Sequence, residues 1–416
     1  MMGHTQWLFF MRIALSFLLA SLAGEGICRL VKMPRITGYA LAGILLGPLG
    51  LGWVDGEDLP DFRFLVELTL TLLLFELGVR VSLRWLKYNP WVIASSLLES
   101  GATFVAVFGV LMVMGFEVKN ALSIAVVAMG TSPVIVLRMV TEMRAQGQVT
   151  QRLLVLCGLN TVYSVVCFYL IMGWFQGTFH GQWFMALFHS FYLLAGSLGM
   201  GLVLALSFKL LRRMFELSDE QSAPVLFGLL LLLQAFLVAL ELPVFLAPLL
   251  GGVLAKHFDP RPHLWPRHFG TAGSILTIIL FMMTGSLLTR NEFVVGVGTA
   301  MIVVLVRFVA KGLGVLLLGP VSGLNLRQSL VLGVVLIPMA EIPLVELMDM
   351  RALYPQMGVK ILPIVFSMMN VLEIVGPMAV QWGLIRAREF QEKTSSSMPI
   401  AKRSPRPAPG PASARD

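Results

Sequence analysis

The sequence predicts an all-α polytopic membrane protein of thirteen transmembrane helices, arranged as inverted repeats with two broken helices that cross. Three observations predict it. The chain is 57% hydrophobic and 13% charged, with a mean hydropathy of +0.83, whereas soluble domains carry about 25% charge. It contains a series of apolar runs long enough to span a bilayer. Two of these runs are interrupted by proline and polar residues in corresponding places, the best sequence pointer to a transporter site.

The runs cover residues 7–27, 36–54, 64–81, 91–114, 121–140, 153–175, 184–211, 223–254, 273–288, 293–318, 330–348 and 361–384. Residues 223–254 are too many for one crossing and divide at Glu241-Leu242-Pro243, which makes thirteen spans. With the first run entering from outside, one set of loops holds Arg29, Lys32, Arg35, Arg80, Arg84, Lys87, Arg138, Arg144, Arg152, Lys209, Arg212, Arg213, Lys256, Arg261, Arg267 and Arg327. The opposite loops hold Arg63, Lys119, Arg290, Arg351, Lys360 and the acidic Asp55-Gly56-Glu57-Asp58. The positive-inside rule then puts the N terminus outside and the C terminus in the cytoplasm.

Residues 1–388 are expected to form the membrane domain. Residues 389–416 are expected to be a disordered cytoplasmic tail, because Ser, Pro, Ala and Arg bury too little surface to order themselves. Basic residues Lys402, Arg403 and Arg406 suit that tail to anionic lipid. The net charge of +8 lies mostly in short loops and the tail, so it implies no nucleic-acid partner. Cys28, Cys157 and Cys167 show no metal or disulfide spacing. No nucleophile–base spacing, cofactor motif or cleavable signal is visible, and an enzyme is not expected.

The first break is Gly130-Thr131-Ser132-Pro133, in the fifth span. The second is Ile337-Pro338-Met339-Ala340-Glu341-Ile342-Pro343, in the twelfth. Pro133, Pro338 and Pro343 interrupt helix hydrogen bonding, which is tolerated at membrane depth only where protein or a water-filled cavity satisfies the freed groups. A glutamate there costs about 2.5–3.5 kcal/mol on insertion scales, so Glu341 is a functional candidate by default. An offset of seven spans places the two breaks in opposite orientations, as in an inverted repeat.

Other in-span polar residues complete the candidate ion site. Thr131 and Ser132 offer hydroxyls beside freed carbonyls. Asn160 and Thr161 lie mid-span, and Ser164 shares a helix face with Asn160. Arg307 and Lys311 share a face at the centre of the eleventh span, where either an ion pair with Glu341 or Glu373 or a switchable charge is expected. Lysine loses its proton on desolvation far more readily than arginine, so Lys311 rather than Arg307 can trade a proton. Glu67, Glu76, Glu99 and Glu373 are assigned no role beyond pairing, and Glu67 and Glu99 are expected to reach water.

Met33-Pro34-Arg35-Ile36-Thr37-Gly38-Tyr39-Ala40-Leu41-Ala42-Gly43-Ile44-Leu45-Leu46-Gly47-Pro48 resembles a signature of the cation:proton antiporter superfamily. The likeness is to its second branch, with sodium/proton exchangers and glutathione-gated potassium efflux systems. Leu65–Leu68 through Leu74–Gly78, Phe245–Leu254, Phe281–Gly285, Lys311–Gly314 and Pro338–Glu341 resemble later helices in the same order, over roughly residues 10–385.

The resemblance implies a homodimer in a bacterial inner (plasma) membrane that exchanges sodium or potassium for protons. Each subunit would pair a dimerisation domain with a six-helix core that moves like an elevator. It also implies an ion-binding aspartate in the span after the first break, as the second residue of a pair. Here that pair is Asn160-Thr161, so threonine stands where the family has its aspartate. Coupling must then be atypical. Glu341 is either the substitute ligand or the counter-ion of Lys311 or Arg307. With two basic residues and one carboxylate in this tally, transport of an anion or another solute is the alternative, and a non-transporting sensor is a third.

Overall fold

The structure is a computed structural model that describes residues 4–54, 59–181, 183–218, 221–259 and 269–390. The acidic loop 55–58, Arg261, Arg267 and the tail from residue 391 lie outside these. Among the described residues there are sixteen helices. The first seven are α1 (His4–Leu30), α2 (Arg35–Leu46), α3 (Leu59–Arg80), α4 (Leu83–Tyr88), α5 (Pro90–Val113), α6 (Val118–Met129) and α7 (Pro133–Glu142). Next come α8 (Gln148–His180), α9 (Trp183–Met214), α10 (Ser222–Ala239), α11 (Leu246–Phe258) and α12 (Phe269–Gly285). The last four are α13 (Arg290–Leu318), α14 (Leu326–Val335), α15 (Glu341–Leu353) and α16 (Pro355–Ala387).

The apolar runs map onto these helices with few exceptions. Residues 223–254 form α10 and α11, parted at the expected Glu241-Leu242-Pro243, where Glu241 adopts a left-handed φ of 52°. Eight described segments are long and apolar enough to cross a membrane, and four shorter apolar helices accompany them. The short α4, which buries no residue, links α3 to α5 and is capped by Ser82. Glu389, expected at the head of the tail, belongs to the folded body. Its carboxylate accepts hydrogen bonds from the Val149 and Thr150 amides at the start of α8, at 2.9 and 2.7 Å.

The broken unit of α6 and α7 is the most enclosed of the spans. Its apolar window is 94% buried, against 17% for α1 and 28% for α13, which turn most of their surface outward. Glycines set the closest helix approaches. A Cβ at Gly78 of α3 would lie 2.2 Å from the Leu249 carbonyl of α11, and one at Gly252 of α11 would lie 2.3 Å from the Phe75 carbonyl. A Cβ at Gly314 of α13 would meet the Glu99 Cα of α5 at 2.5 Å. That close approach brings the Lys311 side chain within reach of Glu99.

Candidate functional site

Both breaks are helix starts rather than kinks. Pro133 opens α7 at its first position, where its missing amide has no intrahelical partner to lose. Ser132 caps the same end by accepting a hydrogen bond from Ile135 N at 3.1 Å. Pro343 falls in the first turn of α15, where it is tolerated for the same reason, and Pro338 lies in the unwound stretch before it. The two unwound stretches touch. The Ser132 amide donates to Pro338 O at 2.9 Å, and the Thr131 hydroxyl donates to Leu336 O at 3.2 Å.

A helix ends with four carbonyls that lack an intrahelical donor, and buried carbonyls must be paired. For α6 each is accounted for. Val126 O accepts from the Ser164 hydroxyl at 3.1 Å, and Val127 O accepts from the Gly130 amide at 3.3 Å. Ala128 O accepts from Arg307 Nε at 2.8 Å, and Met129 O accepts from Lys311 Nζ at 3.0 Å. Arg307 also donates to Gly130 O at 2.6 Å and to Ile337 O of the second break. Its guanidinium therefore sits on the negative end of α6 and on the unwound carbonyls just beyond α14, where a cation is favourable.

Glu341 does the converse. Its carboxylate accepts from the Ser132 hydroxyl at 2.6 Å and from the Val134 amide at 3.1 Å, at the positive N-terminus of α7. It faces neither Asn160–Thr161 nor a basic side chain as sequence reasoning expected, because the open amides of α7 offer it charge-assisted hydrogen bonds. The expected ion pair of Lys311 or Arg307 with Glu341 or Glu373 is likewise not what forms. Lys311 pairs with Glu99 of α5, and both side chains are 0% exposed. Glu99 thus does not reach water. Lys311 directs its remaining donors to Met129 O and, at 3.2 Å, to Thr131 Oγ1.

Asn160 of α8 ties this pair to the first break. Its Nδ2 donates to Thr131 Oγ1 at 3.1 Å, and its Oδ1 accepts from Ser100 at 2.8 Å and Ser96 at 3.2 Å. Thr161 stands apart from the network. Its hydroxyl donates to the carbonyl of Cys157 in its own helix, at 2.9 Å. The structure therefore gathers Thr131, Asn160 and Lys311 into one cluster and Ser132 with Glu341 into an adjoining one. Glu99 was given no role beyond pairing and Ser96, Ser100 and Thr103 were overlooked in the sequence, although the spacing of three, four and seven from Ser96 places all four on one helix face. Glu346 and Asp349, both on α15, were overlooked too, hidden behind the more conspicuous Glu341.

Two broken helices meeting over buried charges in a polytopic chain define a secondary membrane carrier. The chain belongs to the sodium/hydrogen exchanger family, whose transmembrane profile matches residues 14–382. That family is one of membrane exchangers and not of enzymes. The Na(+)/H(+) antiporter of Enterococcus hirae is 35% identical over 114 residues, covering 27% of this chain and 28% of that protein. The Na(+)/H(+)-K(+) antiporter GerN of Bacillus cereus is 33% identical over 125 residues, or 30% and 32% of the two chains. Each alignment spans less than a third of the relative. Two structures of the sodium proton antiporter MjNhaP1 from Methanocaldococcus jannaschii share the fold, with TM-scores of 0.66 and 0.69 at 19% and 18% identity. They cover 91% and 94% of this chain, and 96% and 100% of theirs is covered.

Proposed function

We propose that the protein is a secondary active transporter that exchanges a monovalent cation, sodium or potassium, for protons by alternating access. Its coupling differs from the family pattern because residue 161 is threonine. The observation that carries this reading is the sealed charge cluster where the two breaks meet. Arg307 and Lys311 supply two positive charges there, and Glu99 and Glu341 supply two negative ones. With all four ionised the cluster is neutral. A cation can then join it without net charge only if a proton leaves, which is one-for-one exchange. The same balance removes the surplus of positive charge on which an anion reading rested.

Thr131, Ser132 and Asn160 line the meeting point and are the polar surface offered to the ion. Thr161 contributes no carboxylate, since its hydroxyl donates to its own helix and does not ionise at accessible pH. Glu341 is committed to the α7 terminus. Lys311 and Glu99 act as a fixed pair that holds the balance.

In the full reading, each apolar run crosses the bilayer once and residues 223–254 cross twice. This gives thirteen spans in inverted repeats, with the N terminus outside and the C terminus, including the tail from residue 391, in the cytoplasm. A homodimer in a bacterial inner membrane, moving its core as an elevator, completes the reading. Purified protein in acid-loaded vesicles is expected to collapse the proton gradient on adding sodium or potassium chloride. No response to either salt from mildly acid to alkaline pH, beside a working control, would overturn the proposal.

A further inference from the structure

The antiport reading leaves open which group gives up the proton, and a second polar cluster answers it. One turn beyond the Asn160–Thr161 pair, on the same face of α8, Ser164 Oγ lies 3.2 Å from Glu346 Oε1 of α15. Glu346 is 0% exposed, and its Oε2 has no hydrogen-bond partner among the described residues. Serine has one hydroxyl proton. That proton has two acceptors in reach, Val126 O of α6 at 3.1 Å and Glu346 Oε1 at 3.2 Å, and serves one of them at a time. While the hydroxyl serves Val126 O, Glu346 has no donor among the described residues, and its carboxyl then holds the proton itself. A bare carboxylate with one orphaned oxygen would be far costlier at this depth.

Loss of that proton creates a different site. The two carboxylate oxygens, Ser164 Oγ and the Val126 carbonyl become a small group of oxygen ligands beside the first break, and oxygen is what hard cations take. Gly130 of the first break borders this group, since a Cβ there would lie in ordinary contact with Ser164 Oγ, at 3.5 Å.

A polar route leads outward from the site. Asp349, one turn further along α15, accepts from the Tyr169 hydroxyl of α8 at 2.7 Å and lies 3.8 Å from Arg63 of α3. Side-chain exposure rises along this line, from 0% at Glu346 to 27% at Asp349 and 52% at Arg63. Arg63 is bound in turn to Glu67 at 2.6 Å.

We propose that Glu346, with Ser164 Oγ and Val126 O, is the site at which a monovalent cation and a proton compete, standing in for the carboxylate that position 161 lacks. The exchange balances: the carboxylic acid plus one cation gives the cation carboxylate plus one proton. This assignment rests on the antiport reading, so its test measures binding as well as flux.

Wild-type protein, Glu346→Gln, Glu346→Asp and Ser164→Ala are compared in two assays. One is cation-driven collapse of a proton gradient in vesicles. The other is proton release when sodium or potassium chloride is added to purified protein in weakly buffered detergent, with choline chloride as control. Glu346→Gln is expected to lower both signals by at least about tenfold. Glu346→Asp is expected to keep them with a displaced pH profile. Ser164→Ala is expected to raise the half-saturating cation concentration roughly three- to tenfold, as loss of one ligand does.

Wild-type half-saturation and pH profile in Glu346→Gln would overturn the assignment while leaving antiport intact. Proton release without flux in the wild type would overturn antiport and leave the site. Absence of both would overturn both. Should Glu346→Gln fail to fold, an unchanged half-saturation and pH profile in Ser164→Ala overturns the assignment, and the expected rise supports it.

Discussion

Replacing Glu99 by Leu is the sharpest test of the charge cluster. Glu99 and Lys311 are both 0% exposed. With the carboxylate gone, the Lys311 ammonium keeps only Met129 O and Thr131 Oγ1, which are neutral acceptors. Leaving one member of a buried pair uncompensated costs about 3–5 kcal/mol. Lys311→Met is expected to cost a similar amount, because it leaves Glu99 beside only the Ser100 hydroxyl. The double variant Glu99→Leu/Lys311→Met removes both charges together, and apolar replacement of a buried pair is often neutral. What remains is the Met129 carbonyl, whose lost partner costs about 1–3 kcal/mol. The single changes thus sum to roughly 6–10 kcal/mol and the double to about 1–3, a coupling of at least about 3 kcal/mol. Fluorescence-monitored unfolding in detergent of wild type, the two singles and the double measures it. Additive losses would refute the claim that the two side chains compensate one another across α5 and α13.

Three further expectations follow from the same geometry. Gly314→Ala forces α13 away from α5 and is expected to cost about 1–3 kcal/mol by overpacking, read as a lower unfolding midpoint together with reduced flux; unchanged values would mean that the helices are not in contact there. Thr161→Val removes a hydroxyl whose acceptor, the Cys157 carbonyl, keeps its helical partner, so flux is expected to stay within about twofold of wild type; a collapse of flux would show that Thr161 takes part directly. Lys360, 2.8 Å from Glu117, holds that carboxyl below its usual range. A carboxyl depressed in the folded state stabilises above its unfolded value, and the contribution is lost as pH falls through the folded value. The small stability difference between wild type and Glu117→Gln is therefore expected at neutral pH and to fade in acid below about 4.5, and a difference that grows in acid would contradict the pairing.

Much of the fold could be read in the chain because its signals are local. Apolar runs, proline interruptions and the split at Pro243 follow from composition over a few residues, and the helices begin and end close to them. The partners of the buried charges could not be read, because they lie far apart in sequence. Glu99 and Lys311 are 212 positions apart, and Ser132 and Glu341 are 209. Glu67 and Glu76 have local partners, Arg63 and Arg80 four residues away, whereas Glu99 has Ser95 and Thr103 at that spacing, so nothing near it in sequence names its partner. A hint was present in the hydroxyls at Ser96, Ser100 and Thr103. Polar residues repeating around one face of an otherwise apolar span mark a face turned to protein rather than lipid.

What holds the two breaks together does not depend on residue 161. The two breaks expose helix ends, and each kind of end attracts the opposite charge. Arg307 and Lys311 neutralise the carbonyls that end α6, and Arg307 reaches across to Ile337 O. Glu341 opens α15 and accepts from the amide of Val134 near the start of α7. None of these contacts involves residue 161, whose side chain turns back on α8. The crossing is thus fastened by groups that an acceptor at 161 would only neighbour. An acceptor carboxylate can be lost there without cutting a structural hydrogen bond, and one supplied from α15 needs only to reach the same wall of α8. Ser164, three residues after Thr161, is where Glu346 reaches it.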